Sequence, residues 1–204
     1  MKNYSDKRYV FIDTETGGII PGKHSLLSIG IVIWEKDYGI IDKKEFYIKH
    51  PHYVITKEAQ RINKFNETFH DSVADEPEMV IESLITFIRQ YFPKDTLFPL
   101  VGHNVQFDIN FLKVFLTENN RSFNQCFSHR AIDTYSIYKA LVLSGKISDN
   151  LNSSHDAFSY FNISVANRHN ALDDCLATVD LFEKMLKIFK NAIKKWLTYL
   201  IFYG

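Results

Sequence analysis

The sequence predicts an α/β fold in which helices cover a mixed β-sheet. Strand-like segments come first along the chain, and strands then alternate with helices, which is the element order of such a sheet. The chain has 204 residues, of which 46% are hydrophobic, so it can bury one well-packed core. The sequence contains no internal repeat, low-complexity tract or Gly/Ser-rich linker.

The first predicted strands occupy residues 8–13, 26–34 and 40–48. The first is a continuous apolar run, and the second, LLSIGIVIW, is rich in β-branched residues. A turn around residues 36–38 precedes the third, so the three strands could form a meander. A short helix follows, and Thr56 is suited to cap its first turn.

Helices and strands alternate in the rest of the chain. Apolar side chains recur at helical spacing over residues 76–92, and Pro93 ends that helix. The segment LFPLVG predicts a buried strand at 97–102. The remaining predicted elements are a helix at 105–118, a short strand at 131–133, helices at 134–143 and 151–161, and a long helix from about 172 to 198.

The charge balance limits how the chain could hold a polyanion. Its formal net charge is zero and its pI is about 7.1, so no strong basic field is available. Such a partner would be held locally, by a metal or by a few side chains. Cys126 and Cys175 lack metal-ligand spacing, which favours a reducing compartment. With no signal peptide or membrane-length apolar run visible, we expect a cytoplasmic protein without a membrane partner.

The first motif is VFIDTETGG, at residues 10–18, where a buried strand runs into two carboxylates. Residues i and i+2 of a strand share a face, so Asp13 and Glu15 project together. Unpaired carboxylates there would repel each other and lose hydration, and a divalent cation such as Mg²⁺ or Mn²⁺ removes both costs. The alternative is a solvated strand end that leads into the Gly-Gly turn.

The second motif is VGHNVQFD, at residues 101–108, which lies at a predicted strand-to-helix turn. Asp108 lies three and four residues before Phe111 and Leu112, so it falls on the apolar stripe of the helix. A carboxylate on a buried face breaks the binary pattern, and open α/β sheets place ligands at such turns. The alternative is a buried Asp bonded to a helix N-terminus or to Asn104.

The third motif is HNALDD, at residues 169–174, which opens the terminal helix. Asp173 and Asp174 could simply complement the helix dipole and cap free N–H groups. His169 alone could be an ordinary loop histidine. The functional interpretation of this motif therefore depends on the other two.

Together the motifs supply four carboxylates and a histidine, namely Asp13, Glu15, Asp108, Asp174 and His169. The motifs contain no Lys or Arg to balance these carboxylates, so they would bind two divalent cations, Mg²⁺ or Mn²⁺. Two such ions stabilise the attacking and leaving oxygens of a phosphoryl transfer. Histidine ordinarily titrates near neutral pH, so His169 could accept a proton from the attacking water.

In order and spacing, FIDTETGG, HNVQFD and HNALDD resemble the three motifs of the DEDDh 3′–5′ exonucleases. This superfamily includes the proofreading epsilon subunit of bacterial replicative polymerase, ribonuclease T and oligoribonuclease. Its general base lies five residues before its last Asp, where this chain has His169; the tyrosine-containing subtype would need a tyrosine at Asn170. The resemblance spans about residues 8–182, and implies one catalytic domain over 1–204 with a terminal helix and tail at 183–204.

The resemblance also implies a ribonuclease H-like fold, an α/β fold with a five-stranded mixed sheet flanked by helices. Its first strand should be central, so that Asp13 and Glu15 leave the middle of the sheet at the metal site. By similarity, Asp13 bridges two ions, and Glu15, Asp108 and Asp174 complete the ligand set.

Several substrate contacts follow from the same resemblance. The backbone at Thr16 and Gly17 should meet the 3′-terminal nucleotide, since glycine permits close approach. In the proofreading subunit, the helix that follows the third strand carries a Glu and a His that contact this nucleotide. Glu58 matches the Glu, whereas Asn63 stands at the position of the His. Asn104 is a further candidate contact.

Two aromatic residues are candidates for stacking on bases, Phe107 and Phe65. Packing in the core is the alternative for both, because aromatic residues mostly fill cores. We interpret Asp133, between a strand and a helix, as a cap or as a group behind the ligands.

These observations predict a metal-dependent 3′–5′ exonuclease that acts on single-stranded or frayed DNA 3′ ends, releasing nucleoside 5′-monophosphates by a two-metal-ion mechanism. One alternative is an exoribonuclease that trims RNA. Another, from a different class, is a nucleic-acid-binding or polymerase-associated module without essential nuclease activity. The terminal helix carries five lysines followed by WLTYLIFY, so it could dock a polymerase partner or a second copy, or it could cover the sheet with a solvated lysine face.

Overall fold

Five strands form one mixed sheet in the computed structural model, which describes residues 7–148, 154–165 and 169–203 (for 154–155 and 192–203, the backbone only). The strands are β1 (Arg8–Thr16), β2 (Leu26–Glu35), β3 (Gly39–Tyr47), β4 (Phe98–Gly102) and β5 (Phe127–Asp133). Their order across the sheet is β3-β2-β1-β4-β5. The first three strands pair antiparallel, while β4 runs parallel to β1 and β5 parallel to β4. The expected mixed sheet with a central first strand is confirmed.

The helices lie between and after the strands. They are α1 (Lys57–Asn63), α2 (Glu67–Val73), α3 (Pro77–Arg89), α4 (Gln106–Glu118), α5 (Thr134–Leu143), α6 (Ser154–Tyr160) and α7 (Ala171–Tyr203). Thr56 caps α1 as predicted, because its Oγ1 accepts the N–H of Ala59 at 3.1 Å. One 3₁₀ turn, Phe123–Gln125, precedes β5.

Two strands are longer than predicted. β1 does not end at residue 13, because Thr14 and Glu15 still pair with β2. The carboxylates of the first motif therefore lie within the strand and not beyond it. β5 begins at Phe127 and not at 131, because Phe127 pairs with Phe98 of β4.

The helices also differ from the prediction in places. α2 was not predicted because it is short and largely exposed; the side chain of Asn66 caps it by accepting the N–H of Phe69 at 2.9 Å. α7 continues past residue 198 to Tyr203. The start of the predicted helix at 151–161 lies outside the described residues. Over the described chain, no helix combines the length and apolar character needed to cross a membrane.

Both faces of the sheet are buried. On one face, Val10, Ile12 and the isoleucines of β2 pack against α3 and α4. On the other face, Phe11 and Val32 pack against Phe182 and its neighbours on α7. Because side chains alternate along a strand, Asp13 and Glu15 share the α7-facing side with Phe11.

Candidate active site

The carboxylates of the first motif belong to two rows of side chains that cross three strands. Residues directly opposite each other on neighbouring strands project from the same face of a sheet. The rows are Asp13–Gly30–Glu45 and Glu15–Ser28–Tyr47. Polar side chains therefore cover this end of the sheet, with a gap at Gly30.

The first turn of α7 fills the gap at Gly30. A Cβ on Gly30 would lie 2.3 Å from the carbonyl oxygen of Ala171 and 2.6 Å from the backbone nitrogen of Leu172, which is closer than real Cβ contacts come. Only glycine allows this approach of helix to strand. The third motif is thereby placed beside Asp13.

Hydrogen bonds within the third motif fix its shape. His169 has a left-handed backbone (φ 68°), and its N–H donates to Oδ2 of Asp174 at 3.0 Å. The side-chain oxygen of Asn170 accepts the N–H of Asp173 at 3.0 Å, so Asn170 caps α7. Because Asn170 has the capping role, the carboxylate of Asp174 can bond back to the loop that precedes the helix.

Glu15, His169 and Asp174 form a compact group of potential metal ligands. One ligand atom from each lies within 4.8 Å of the other two, and all three side chains are half-buried. Two carboxylate oxygens and an imidazole nitrogen are donors that divalent cations accept. The residues present therefore fit a divalent cation.

Asp108 lies on the buried side of α4, as predicted, and is only 4% exposed. Oγ1 of Thr14 donates to its Oδ1 at 2.7 Å. Burial raises the pKa of Asp108 to about 7, and the hydrogen bond from Thr14 works in the opposite direction. A neighbouring cation would favour the charged carboxylate, so this buried group also suits a metal site.

One carboxylate from each of the three motifs influences the same buried thiol. Burial raises the pKa of Cys175 well above its ordinary value, and the charges of Asp13, Asp108 and Asp174 raise it further. The motifs thus converge between the sheet and α7. The compact ligand group itself contains neither Asp13 nor Asp108, so a site built from four carboxylates stays a prediction.

A cleft of about 480 Å³ opens beside the ligand group, a volume in the range of small-molecule sites. Glu15 and His169 lie on its wall, together with Phe65 and Phe69. The ring of Phe65 rests 5.1 Å from that of His70, so it is partly packed. Phe69, on α2, is 58% exposed and presents an aromatic surface to solvent.

The backbone of Thr16 and Gly17 is bonded within the chain. The amide of Asn63 donates to the carbonyl of Thr16 at 3.2 Å, and the carbonyl of Gly17 accepts the N–H of Thr56 at 2.7 Å. A Cβ on Gly17 would lie 2.2 Å from the carbonyl oxygen of Val54. Close packing therefore requires this glycine, and its contact with a nucleotide stays a prediction.

The other predicted substrate residues are not among the described residues that line the cleft. Glu58 is exposed in the first turn of α1. Asn104 is exposed with φ 59°, and its N–H donates to Oδ1 of Asp133 at 2.8 Å. Phe107 packs on Phe111 at the edge of the core, with ring centroids 5.0 Å apart. Asp133 caps α5, as one of its two interpretations predicted.

Sequence reasoning missed three residues near the site, Glu45, Tyr47 and Phe69. In the sequence, Glu45 and Tyr47 are side chains of an edge strand, and only the register with β2 places them on the face of Asp13. Phe69 lies on a helix that the sequence pattern did not predict. For Glu45 and Tyr47, the only sequence signal is the alternation within DKKEFY, which cannot identify the face.

Proteins similar to this chain in sequence or structure include a DNA polymerase III subunit, a ribonuclease and an exonuclease. The chain is 29% identical over 178 residues to DNA polymerase III subunit epsilon of Treponema pallidum, covering 87% of this chain and 76% of that one. It is 27% identical over 203 residues to ribonuclease T of Wigglesworthia glossinidia brevipalpis, covering 94% and 92%. It also resembles the solved structure of E. coli exonuclease I in complex with a dT13 oligonucleotide, with a TM-score of 0.77 and 15% identity. That match covers 95% of this chain but only 44% of exonuclease I, so the chain spans less than half of that protein.

The sheet order and the structural similarity identify the ribonuclease H-like fold expected from the motifs. The family model described as Exonuclease (RNase_T) matches residues 10–182, an interval that includes all the predicted carboxylates and His169. The match and the named relatives identify a nuclease, which is a hydrolase of phosphodiester bonds. The chain belongs to the RNase_T family of exonucleases.

Proposed function

We propose that this chain is a divalent-metal-dependent 3′–5′ exonuclease that hydrolyses the terminal phosphodiester bond of single-stranded or frayed DNA. The observation that carries the proposal is the group of Glu15, His169 and Asp174 beside a cleft of about 480 Å³, with Glu15 and His169 on the wall of that cleft. The products would be nucleoside 5′-monophosphates. Membership of an exonuclease family supports the reaction class.

The carboxylates would hold the metal. Glu15 and Asp174, joined by Asp13 and Asp108, would bind two Mg²⁺ or Mn²⁺ ions, which would supply a Lewis acid for the phosphate and an acidified water. The carboxyl of Asp108 is oriented by Thr14 and is poorly hydrated, so it gains most from a cation.

His169 would act as general base. A ring nitrogen would accept the proton of the attacking water, and the imidazolium that forms would be stabilised by the carboxylates of Glu15 and Asp174 within 4.8 Å. The hydrogen bond from the His169 backbone to Asp174 keeps the histidine loop at this site.

The cleft would receive the terminal nucleoside. Phe69 is exposed on its wall and Phe65 is half-buried there, so both can offer ring surface to a base. Stacking of one base on an aromatic side chain contributes about 1–3 kcal/mol and tolerates any base. With a net charge of zero, the chain would hold its substrate through this local site and not through a basic surface.

DNA is the proposed substrate, and RNA trimming is the second candidate. The epsilon subunit is by name part of a DNA polymerase, and the exonuclease I structure contains a dT13 oligonucleotide. The similarity to ribonuclease T, which covers 92% of that protein, favours RNA.

The test uses DNA and RNA oligonucleotides of one sequence, labelled at the 5′ end. A matched oligonucleotide with a phosphorothioate at its last 3′ linkage serves as control. We expect a ladder that shortens from the 3′ end, slower initiation on the control, and mononucleotides that carry a 5′ phosphate. No ladder on either polymer, or shortening from the 5′ end, would contradict the proposal. The polymer that is degraded at the higher rate is the preferred substrate.

A polymerase partner is also proposed, by way of α7. The epsilon relative is a polymerase subunit, and α7 has 33 residues, which gives it a length of roughly 50 Å. A second copy of the chain is the other candidate partner. The molar mass of the chain in solution, measured alone and in a mixture with a replicative polymerase, distinguishes the two partners. A monomer that binds no polymerase would refute both candidates.

A further inference from the structure

Glu45 and Asn170 link the edge of the sheet to the loop that carries His169. The side-chain N–H of Asn170 donates to Oε2 of Glu45 at 2.8 Å. The oxygen of the same amide accepts the N–H of Asp173 at 3.0 Å, in the first turn of α7. One side chain therefore ties edge strand β3 to the helix that carries Asp174.

The carboxylate of Glu45 is itself held in one orientation. Ser28 donates its hydroxyl to Oε1 at 2.9 Å, and Tyr47 donates its hydroxyl to Oε2 at 2.7 Å. Burial raises the pKa of Tyr47, and its bond to Glu45 raises it further, so Tyr47 stays a donor throughout the neutral range. Three donors thus fix an acceptor that is only half-buried.

The register of the sheet explains why Glu45 is available for this link. It lies in the same row as Gly30 and Asp13, on the far side of the gap that the start of α7 fills. Glu45 does not belong to the compact group of potential metal ligands. Its carboxylate is used to hold Asn170.

The backbone conformation of His169 needs support from its surroundings. A non-glycine residue with a left-handed backbone costs about 1–3 kcal/mol and persists only where its surroundings hold it. His169 has φ 68°, and the contacts that hold its loop include its own N–H on Asp174 and the amide of the next residue, Asn170, on Glu45.

We propose that Glu45 is a positioning residue that acts through Asn170 to keep His169 and Asp174 beside Glu15. This inference rests on the proposed nuclease function. It assigns a catalytic consequence to a side chain on the edge strand, outside all three motifs.

Four variants separate positioning from general stability. Glu45→Ala removes the acceptor, whereas Glu45→Gln keeps an oxygen for Asn170 and is the conservative rescue. Asn170→Asp keeps the cap of α7, because Asp caps helices as well as Asn, but it sets a second carboxylate against Glu45. The double variant Glu45→Gln/Asn170→Asp restores a donor and an acceptor with their roles exchanged. Glu82→Ala, at an exposed position of α3, is the matched control.

The readout is kcat and KM on 5′-labelled single-stranded DNA and RNA with Mn²⁺, with the melting temperature of each variant. Loss of a partner that orients a ligand typically costs 10–100-fold in activity, so we expect kcat to fall about 10–100-fold in Glu45→Ala and in Asn170→Asp, with KM within about twofold. For Glu45→Gln, the double variant and Glu82→Ala, we expect kcat to stay within about threefold of the wild-type value.

The outcomes are distinguishable. A wild-type chain that degrades neither polymer overturns the proposed function, and this inference with it. An active wild type whose kcat is unchanged in Glu45→Ala overturns the inference alone. So does a double variant no more active than Asn170→Asp, or a Glu45→Gln variant as slow as Glu45→Ala, since neither result is compatible with positioning through this hydrogen bond.

Discussion

Replacement of Gly30 by alanine should displace the start of α7 and slow the reaction without unfolding the chain. The new Cβ would lie 2.3 Å from the carbonyl oxygen of Ala171, whereas ordinary van der Waals contact begins at 3.4 Å. The obstacle is backbone on both sides, so helix and strand must separate by roughly 1 Å, since packed interiors offer no spare space. His169 and Asp174 would move with the helix.

A shift of this size has a large effect on rate and a modest one on stability. A misplacement of ~1 Å can cost about 100-fold in rate, because reacting groups must be aligned within a fraction of that distance. Overpacking of a core typically costs about 1–3 kcal/mol of unfolding free energy. We therefore expect kcat of Gly30→Ala to fall about 100-fold while most of the protein stays folded at 25 °C.

The assay compares kcat on a labelled oligonucleotide with the urea midpoint of each variant. Leu84→Ala is the control: Leu84 is fully buried on α3, against the opposite face of the sheet, and its truncation costs about 2–5 kcal/mol. This control should lose at least as much stability as Gly30→Ala and keep the wild-type kcat. A Gly30→Ala variant with wild-type kcat, or a folded Leu84→Ala variant slowed equally, would show that the position of α7 does not control the rate.

Three further predictions concern single side chains. His169→Ala should lower the rate at pH 7.5 by about two to four orders of magnitude, because the general base is lost; an unchanged rate would remove His169 from the mechanism. Thr14→Val should raise the Mn²⁺ concentration needed for half-maximal activity by about 10–100-fold, because Asp108 loses the donor that orients it; an unchanged metal titration would contradict this. Burial lowers the pKa of His70 below its ordinary 6.5, so the unfolded chain binds more protons below that pH. The contribution of His70 to the free energy of unfolding should therefore be fully present above about pH 6.5 and should decline as the pH falls towards the folded pKa. If the urea midpoint changes equally between pH 7.5 and pH 5.5 in wild type and in His70→Gln, His70 is not the group responsible.

The sequence contained enough to predict the sheet and the three motifs. Asp13 and Glu15 do share one face of a central strand, and Asp108 is buried on the apolar stripe of α4, because period-two and helical patterns determine these faces locally. Strand ends were less predictable. β1 continues through Glu15 only because β2 offers hydrogen-bonding partners there, and the sequence of β1 cannot show that pairing.

The other parts of the site depend on the register of the strands and on the close approach of α7 to the sheet. Glu45 becomes a partner of Asn170 because β3 pairs with β2 in one register and because Gly30 leaves room for α7 between them. The sequence shows a glycine in a strand but not the backbone that will lie against it. In the same way, the aromatic residue most exposed on the cleft wall, Phe69, lies on a short helix that Asn66 caps.

The most direct test of the account is metal-dependent cleavage by wild type and Asp13→Asn. Each protein is incubated with 5′-labelled single-stranded DNA and RNA in Mg²⁺, Mn²⁺ or EDTA, and circular dichroism verifies that the variant is folded. Asp180→Asn, on the same helix as Asp174 but paired with Lys184, is the control. We expect a 3′ ladder with either metal for wild type and Asp180→Asn, and none in EDTA or with Asp13→Asn. A folded Asp13→Asn variant with the wild-type rate, or a ladder that persists in EDTA, would contradict it.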